Sequence, residues 1–141
     1  MKLTSKQKFD FFDSFNWKCQ ICFCDLVFNP TPNHTPNSAR IDHIIPKNKG
    51  GNNRKSNLSA VCSSCNTKKK DYLSSEYLET PSFEPAFFML LVQYERRNGI
   101  KIKNLSFKIS KKINELEQEA RRVKSIAKEL NLLSRGVSNE Y

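Results

Sequence analysis

The sequence predicts a small α+β domain, stapled by a four-cysteine zinc site, with an N-terminal helix and a helical C-terminal extension. Three observations carry this. Two C-x-x-C pairs, Cys19–Cys22 and Cys62–Cys65, bracket the middle of the chain. Two short apolar runs of strand length flank a long polar loop. Beyond Ser74 the pattern turns helical and charged. A chain of 141 residues suffices for one domain, or one small domain with an extension. The division expected is 1–73 for the N-terminal helix and zinc-stabilised core, and 74–141 for the extension.

Taken in order, Thr4 to Phe15 reads as a short helix. Thr4 and Gln7 stand at capping-box spacing, and Phe9, Phe12 and Phe15 form its expected apolar face. Trp17 to Phe28 holds the first cysteine pair. Asn29 to Ser38 has three prolines and no large apolar residue, so it is a loop. Ile41 to Ile45 and Leu58 to Val61 suit two strands, with Pro46 to Ser56 as the polar loop between them. A helix follows from about Ser63 or Cys65 to Leu73. Phe83 to Asn98 reads as another, with Ser82 as a possible cap and Asn98-Gly99 ending it.

A last long helix carries Ile109, Ile113, Leu116, Ala120, Val123, Ala127 and Leu130 at alternating four- and three-residue steps. That is a heptad-like seam. The two alanines favour packing within one chain, so a monomer is expected ahead of a homodimer. Lys111, Lys112, Arg121, Arg122 and Lys124 give this helix a basic component that four glutamates partly offset.

The formal net charge is +10, and Arg40 to Lys70 alone holds eight Lys or Arg against a single acid, Asp42. Such concentration in a Gly- and Asn-rich stretch points to a polyanionic partner rather than a generally solvated surface. No apolar run is long enough for a secretion signal or a membrane span. The protein is therefore expected in a reducing cytoplasm, where cysteines serve as metal ligands more often than as disulfides. Cys19, Cys22, Cys62 and Cys65 can supply four thiolates to one structural zinc, closing a long inserted loop. Cys24 is the spare, although its neighbourhood leaves a ligand exchange with Cys22 open.

Asp42-His-Ile-Ile-Pro46, Gly50-Gly51, Asn57-Leu58 and Cys62-Ser-Ser-Cys-Asn66 together resemble, in order and approximate spacing, the HNH endonucleases. The resemblance covers about Trp17 to Tyr72. It implies a ββα-metal nuclease core, two strands and a helix around one divalent cation. The family letters fall on His43, Asn57 and Asn66, the last standing where other members carry histidine. Phe23-Cys24 departs from the pattern, since glycine is commoner after the first pair.

By this resemblance His43 is the general base that deprotonates a water, which suits a side chain whose ordinary pKa lies near neutrality. Asp42 and Asn66 offer hard oxygen ligands to a catalytic Mg²⁺ or Mn²⁺. Asn57 is expected to bond the loop backbone and hold His43. Adjacent strand residues point to opposite faces, so Asp42 and His43 can serve one site only if the strand bends or bulges. Lys47, Lys49, Arg54, Lys55, Lys68, Lys69 and Lys70 are the expected nucleic-acid contacts. His34 belongs to no part of the pattern.

The function implied is a metal-dependent DNA endonuclease, leaving 5′-phosphate and 3′-hydroxyl ends and cutting one strand per binding event. The alternatives are a non-catalytic zinc-stabilised nucleic-acid-binding module, and an interaction protein acting through the C-terminal helix.

Overall fold

The structure, a computed structural model, describes residues 2–28 and 34–137. The first half of the expected Asn29–Ser38 loop and the end of the extension lie outside the described residues. Contacts divide the chain into two compact units, Met1–Lys103 and Asn104–Tyr141.

The first unit opens with α1 (Ser5–Asp13), started by the capping box. The Thr4 hydroxyl accepts the Gln7 N–H at 3.2 Å, and Gln7 Oε1 accepts the Thr4 N–H at 2.9 Å. Two otherwise orphaned donors are thereby satisfied. The buried face is Phe11 and Phe12, not the stripe of Phe9, Phe12 and Phe15. The helix stops at Asp13, so Phe15 lies beyond its last turn, while Phe9 stays half-exposed with its ring edge-on to Trp17.

A tight knuckle follows, in which Cys19 N–H donates to Cys24 O and Phe23 N–H donates to Cys19 O, each at 2.9 Å. Closing it puts Phe23 at φ +64°, a conformation that costs a side chain but not a glycine. The Arg97 guanidinium lies 4.6 Å from the Phe23 ring centroid. That cation–π contact offsets part of the backbone cost and gives a physical reason for phenylalanine where the family pattern has glycine.

Strands β1 (Ala39–His43) and β2 (Leu58–Cys62) pair antiparallel, with Asp42 opposite Ser59 and His43 opposite Leu58. β1 begins and ends two residues earlier than its apolar pattern suggests. Its far end is intercepted by Asn57, whose side chain rather than a strand partner takes the Ile45 N–H. α2 (Ser63–Lys69) leaves β2 without a linker, capped by Cys62 Sγ, which accepts the Cys65 N–H at 3.3 Å. Helix α2 ends at Lys70, whose φ of +50° breaks it short of Leu73. Two strands joined by a long loop, and then a helix, give the ββα order the resemblance implies.

The loop between the strands holds two 3₁₀ turns, Lys47–Lys49 and Lys55–Asn57. Gly50 terminates the first at φ +89°. Gly51 answers a different need, because a Cβ there would lie 1.7 Å from the Ile45 carbonyl oxygen. The backbone passes so close that only hydrogen fits.

After the ββα core come a single-turn helix α3 (Ser74–Tyr77) and α4 (Pro85–Arg97). α4 starts with proline at its first turn, where the missing N–H costs nothing, and ends at Asn98 with Gly99 at φ +74°. Buried Glu95 clasps α3 to α4, accepting both the backbone N–H and the hydroxyl of Ser74 at 2.5 Å each. Ile21, Val61, Leu78, Leu91 and Tyr94 are among the most buried side chains of this unit. The second unit contains one helix, α5 (Leu105–Val137). No helix among the described residues is long and apolar enough to cross a membrane.

Candidate functional site

The four cysteines of the two C-x-x-C pairs converge. Their Sγ atoms all lie within 4.8 Å of one another, and Cys22 and Cys62 stand 3.8 Å apart. A tetrahedral zinc with Zn–S bonds of about 2.3 Å requires sulfurs roughly 3.8 Å apart, so this cluster is compatible with zinc. The knuckle supplies one pair, and the β2–α2 junction the other. Cys24 stands outside the cluster. A hydrogen bond from the Cys65 thiol pulls Cys19 far below the ordinary thiol range, while burial and then the neighbouring Cys22 raise Cys24. Cys65 is raised in turn by the bond it gives to Cys19. The thiols share protons that a bound metal would release.

His43, at the end of β1, reaches away from the strand to the loop. Its Nε2 lies 2.9 Å from Asn53 Oδ1. In the tautomer that carries its proton on Nε2, the Asn53 amide oxygen accepts that proton and the ring lone pair lies on Nδ1. Asn57 anchors the same loop three times. Its Oδ1 accepts the Ile45 N–H at 2.9 Å, and its Nδ2 donates to Ile45 O at 3.0 Å and Asn52 O at 2.9 Å. The loop segment that presents Asn53 to His43 is thereby tied to the residues following His43.

Asp42 takes the opposite direction. The ladder runs in regular register through Asp42 and His43, so the alternation of strand side chains holds. Asp42 is buried, with Oδ2 2.9 Å from Lys69 Nζ and 3.5 Å from the Tyr94 hydroxyl. Lys69 also donates to the His43 carbonyl at 3.0 Å and is fully buried. Burial raises the Asp42 carboxyl above its ordinary range, and the Lys69 ammonium pulls it back only in part. Asn66 sits one turn before Lys69 on α2, half-buried, at the i, i+3 spacing that shares a helix face.

The basic residues of the segment fall into three groups. Lys47, Arg54, Lys55 and Lys70 are exposed. Lys49 and Lys68 are held by carboxylates, Glu76 at 2.5 Å and Glu84 at 2.9 Å. Lys69 alone lies inside, as the internal counter-ion of Asp42, and in this arrangement it presents nothing to a phosphate. The reason is its position on α2, on the face turned to β1. His34 Nδ1 lies 2.6 Å from an Arg40 guanidinium nitrogen, away from the His43 cluster.

Two residues of this constellation escape sequence reasoning. Asn53 is one of several loop asparagines, with nothing in the pattern to single it out. Tyr94 lies far along the chain on α4, where helical periodicity marks it as core. A tyrosine hydroxyl in a fully buried position nevertheless needs a polar partner, which is the one available signal.

No curated protein and no solved structure matches the chain. A family model does: residues 19–72, from the first cysteine of the cluster to just past α2, match the HNH endonuclease family, and this stretch of the chain carries an HNH domain.

Proposed function

We propose that the protein is a metal-dependent DNA endonuclease in which His43 is the general base, and that Cys19, Cys22, Cys62 and Cys65 hold a structural zinc. The observation that carries the reading is the contact of His43 Nε2 with Asn53 Oδ1, which orients the ring; with the proton on Nε2, Nδ1 is the nitrogen that accepts a proton from water. Asn57 is the positioning residue, because its three bonds fix the loop that carries Asn53. Asp42 and Asn66 have the oxygen donors that Mg²⁺ or Mn²⁺ prefers; in the regular ladder Asp42 points away from His43, so they would hold the catalytic cation beside it only with the end of β1 bent to turn Asp42 toward the loop. When bound, that cation neutralises charge on the phosphate and on the leaving oxygen.

Lys69 must yield at least part of its hold on Asp42 for Asp42 to serve as a ligand. Exposed Lys47, Arg54, Lys55 and Lys70 are the phosphate contacts, with Lys49 and Lys68 joining them where DNA displaces Glu76 and Glu84. His43 takes a proton from water, the resulting hydroxide attacks phosphorus as the bond to the 3′ oxygen breaks, and the leaving oxygen takes a proton from solvent water, giving 5′-phosphate and 3′-hydroxyl ends. One such site acts on one phosphate, so each site nicks one strand per encounter.

The Asp42–Lys69 pair supports a second reading, a zinc-stabilised module that binds nucleic acid without cutting it, because the lysine already neutralises the carboxylate. Incubation of supercoiled plasmid with Mg²⁺ or Mn²⁺, with and without EDTA, separates the two. Open-circle product that EDTA abolishes supports the nuclease. Retarded but intact plasmid under every metal condition supports the binding module and overturns the nuclease.

A further inference from the structure

The α5 helix stands as a unit by itself, and at about 1.5 Å per residue its 33 residues extend roughly 50 Å. One stripe along it is apolar: Ile109, Ile113, Leu116, Ala120, Val123, Ala127 and Leu130. A single helix has no interior, and this stripe is open to solvent, with Ile113 at 48%, Leu116 at 44%, Val123 at 60% and Leu130 at 61% exposure. An apolar seam of this length on a charged helix requires a covering surface.

The charges beside the seam specify which surface. The four-then-three spacing assigns Ile109, Leu116, Val123 and Leu130 to the d positions of a heptad, and Ile113, Ala120 and Ala127 to the a positions. Lys112 and Glu119 then fall at g, and Glu117 and Lys124 at e. In a parallel two-stranded coil the g residue of one heptad meets the e residue of the next heptad on the other helix. Lys112 therefore meets the partner's Glu117, and Glu119 meets the partner's Lys124. The pattern is self-complementary, since each g charge of this chain is answered by the e charge of another copy. Leucine or a β-branched residue fills every d layer, and the alanine layers bring the helices close.

We propose that α5 pairs in parallel with α5 of a second copy, making the protein a homodimer in place of the monomer that the two alanines suggest on their own. Lys112, with its side chain 22% exposed, approaches Glu115 of its own helix at 3.9 Å, a contact it would exchange for the partner's Glu117. The interface would be modest, because two of the a layers are alanine.

The test is sedimentation equilibrium of the full chain without DNA. The wild type is expected to dimerise reversibly, and a monomer at concentrations of about 100 µM would overturn the proposal. The paired swap Lys112→Glu with Glu119→Lys turns every g–e′ contact of a parallel pair repulsive, so association should weaken by about tenfold or more. In an antiparallel pair g meets g′, and the same swap leaves the contacts attractive. Unchanged association in the double variant would therefore overturn parallel pairing. Adding Glu117→Lys and Lys124→Glu restores each g–e′ pair with reversed signs. Recovery of the dimer in this quadruple variant is expected, and it excludes simple loss of the helix. Failure to recover would sink the proposal.

Discussion

Lys69 Nζ and Asp42 Oδ2 form an ion pair at 2.9 Å, and the lysine side chain is wholly withdrawn from solvent. The same ammonium donates to the His43 carbonyl, so one cation ties α2 to both residues at the end of β1. Removing one partner of a buried pair leaves the other charged and unsatisfied, at a cost of roughly 3–5 kcal/mol. Lys69→Ala should lose about that much in chemical denaturation. The double variant Asp42→Asn with Lys69→Met should recover most of it, because no buried charge is then left alone. If the double variant is as unstable as the single one, the loss comes from packing and the pair is not its source.

His43→Ala should abolish cleavage while leaving thermal stability nearly unchanged, since the ring is half-exposed and bonds only to the loop. Asn53→Ala removes the orienting bond but not the base, so activity should fall by roughly one to two powers of ten rather than vanish. A plasmid time course with both variants checks this. Wild-type rates for His43→Ala would end the case for His43 as base.

The thiol cluster predicts about one zinc per chain, by four-coordinate tetrahedral stoichiometry, measurable by elemental analysis. Serine at Cys19, Cys22, Cys62 or Cys65 should release the metal and lower the melting temperature sharply. Cys24→Ser should do neither, because Cys24 lies outside the cluster. Zinc lost from the Cys24 variant would redraw the ligand set.

Burial raises the Glu95 carboxyl above the ordinary range, and the Ser74 hydroxyl and amide lower it only in part. A folded pKa above the unfolded one means that the folded state retains the proton longer. Stability from this group is thus fully present below the unfolded value and is lost as pH rises through the folded value. Glu95→Gln removes that titration. Its melting temperature relative to wild type should therefore climb as pH rises above the ordinary carboxylate range. A difference that stays flat with pH would mean that Glu95 does not titrate in this way.

Much of the ββα core is legible in the sequence because its signals are local. C-x-x-C spacing, a capping box and the strand-length run ending at β2 each encode their own geometry. The end of β1 is less legible, since Asn57, well beyond it in the chain, sets where the ladder stops. Lys69 shows why charge alone misplaces a residue: among adjacent lysines, only the helical phase of α2 decides which one turns inward. Tyr94 is hidden for a different reason, because its partner Asp42 lies on a strand that no local pattern connects to α4. The seam of α5 is plain in the sequence, but a heptad stripe looks the same whether it meets its own chain or another.

That Tyr94 closes over Asp42 has a consequence for where the minimal functional fragment ends. The matched segment stops at residue 72, while the roof over its acidic residue arrives with α4, some twenty residues later. Motif and cooperative folding unit are therefore not coextensive. A fragment cut at the motif's edge would retain the HNH pattern yet flood the Asp42–Lys69 pair with water, and any graft of this HNH segment onto another scaffold has to carry α3 and α4 with it.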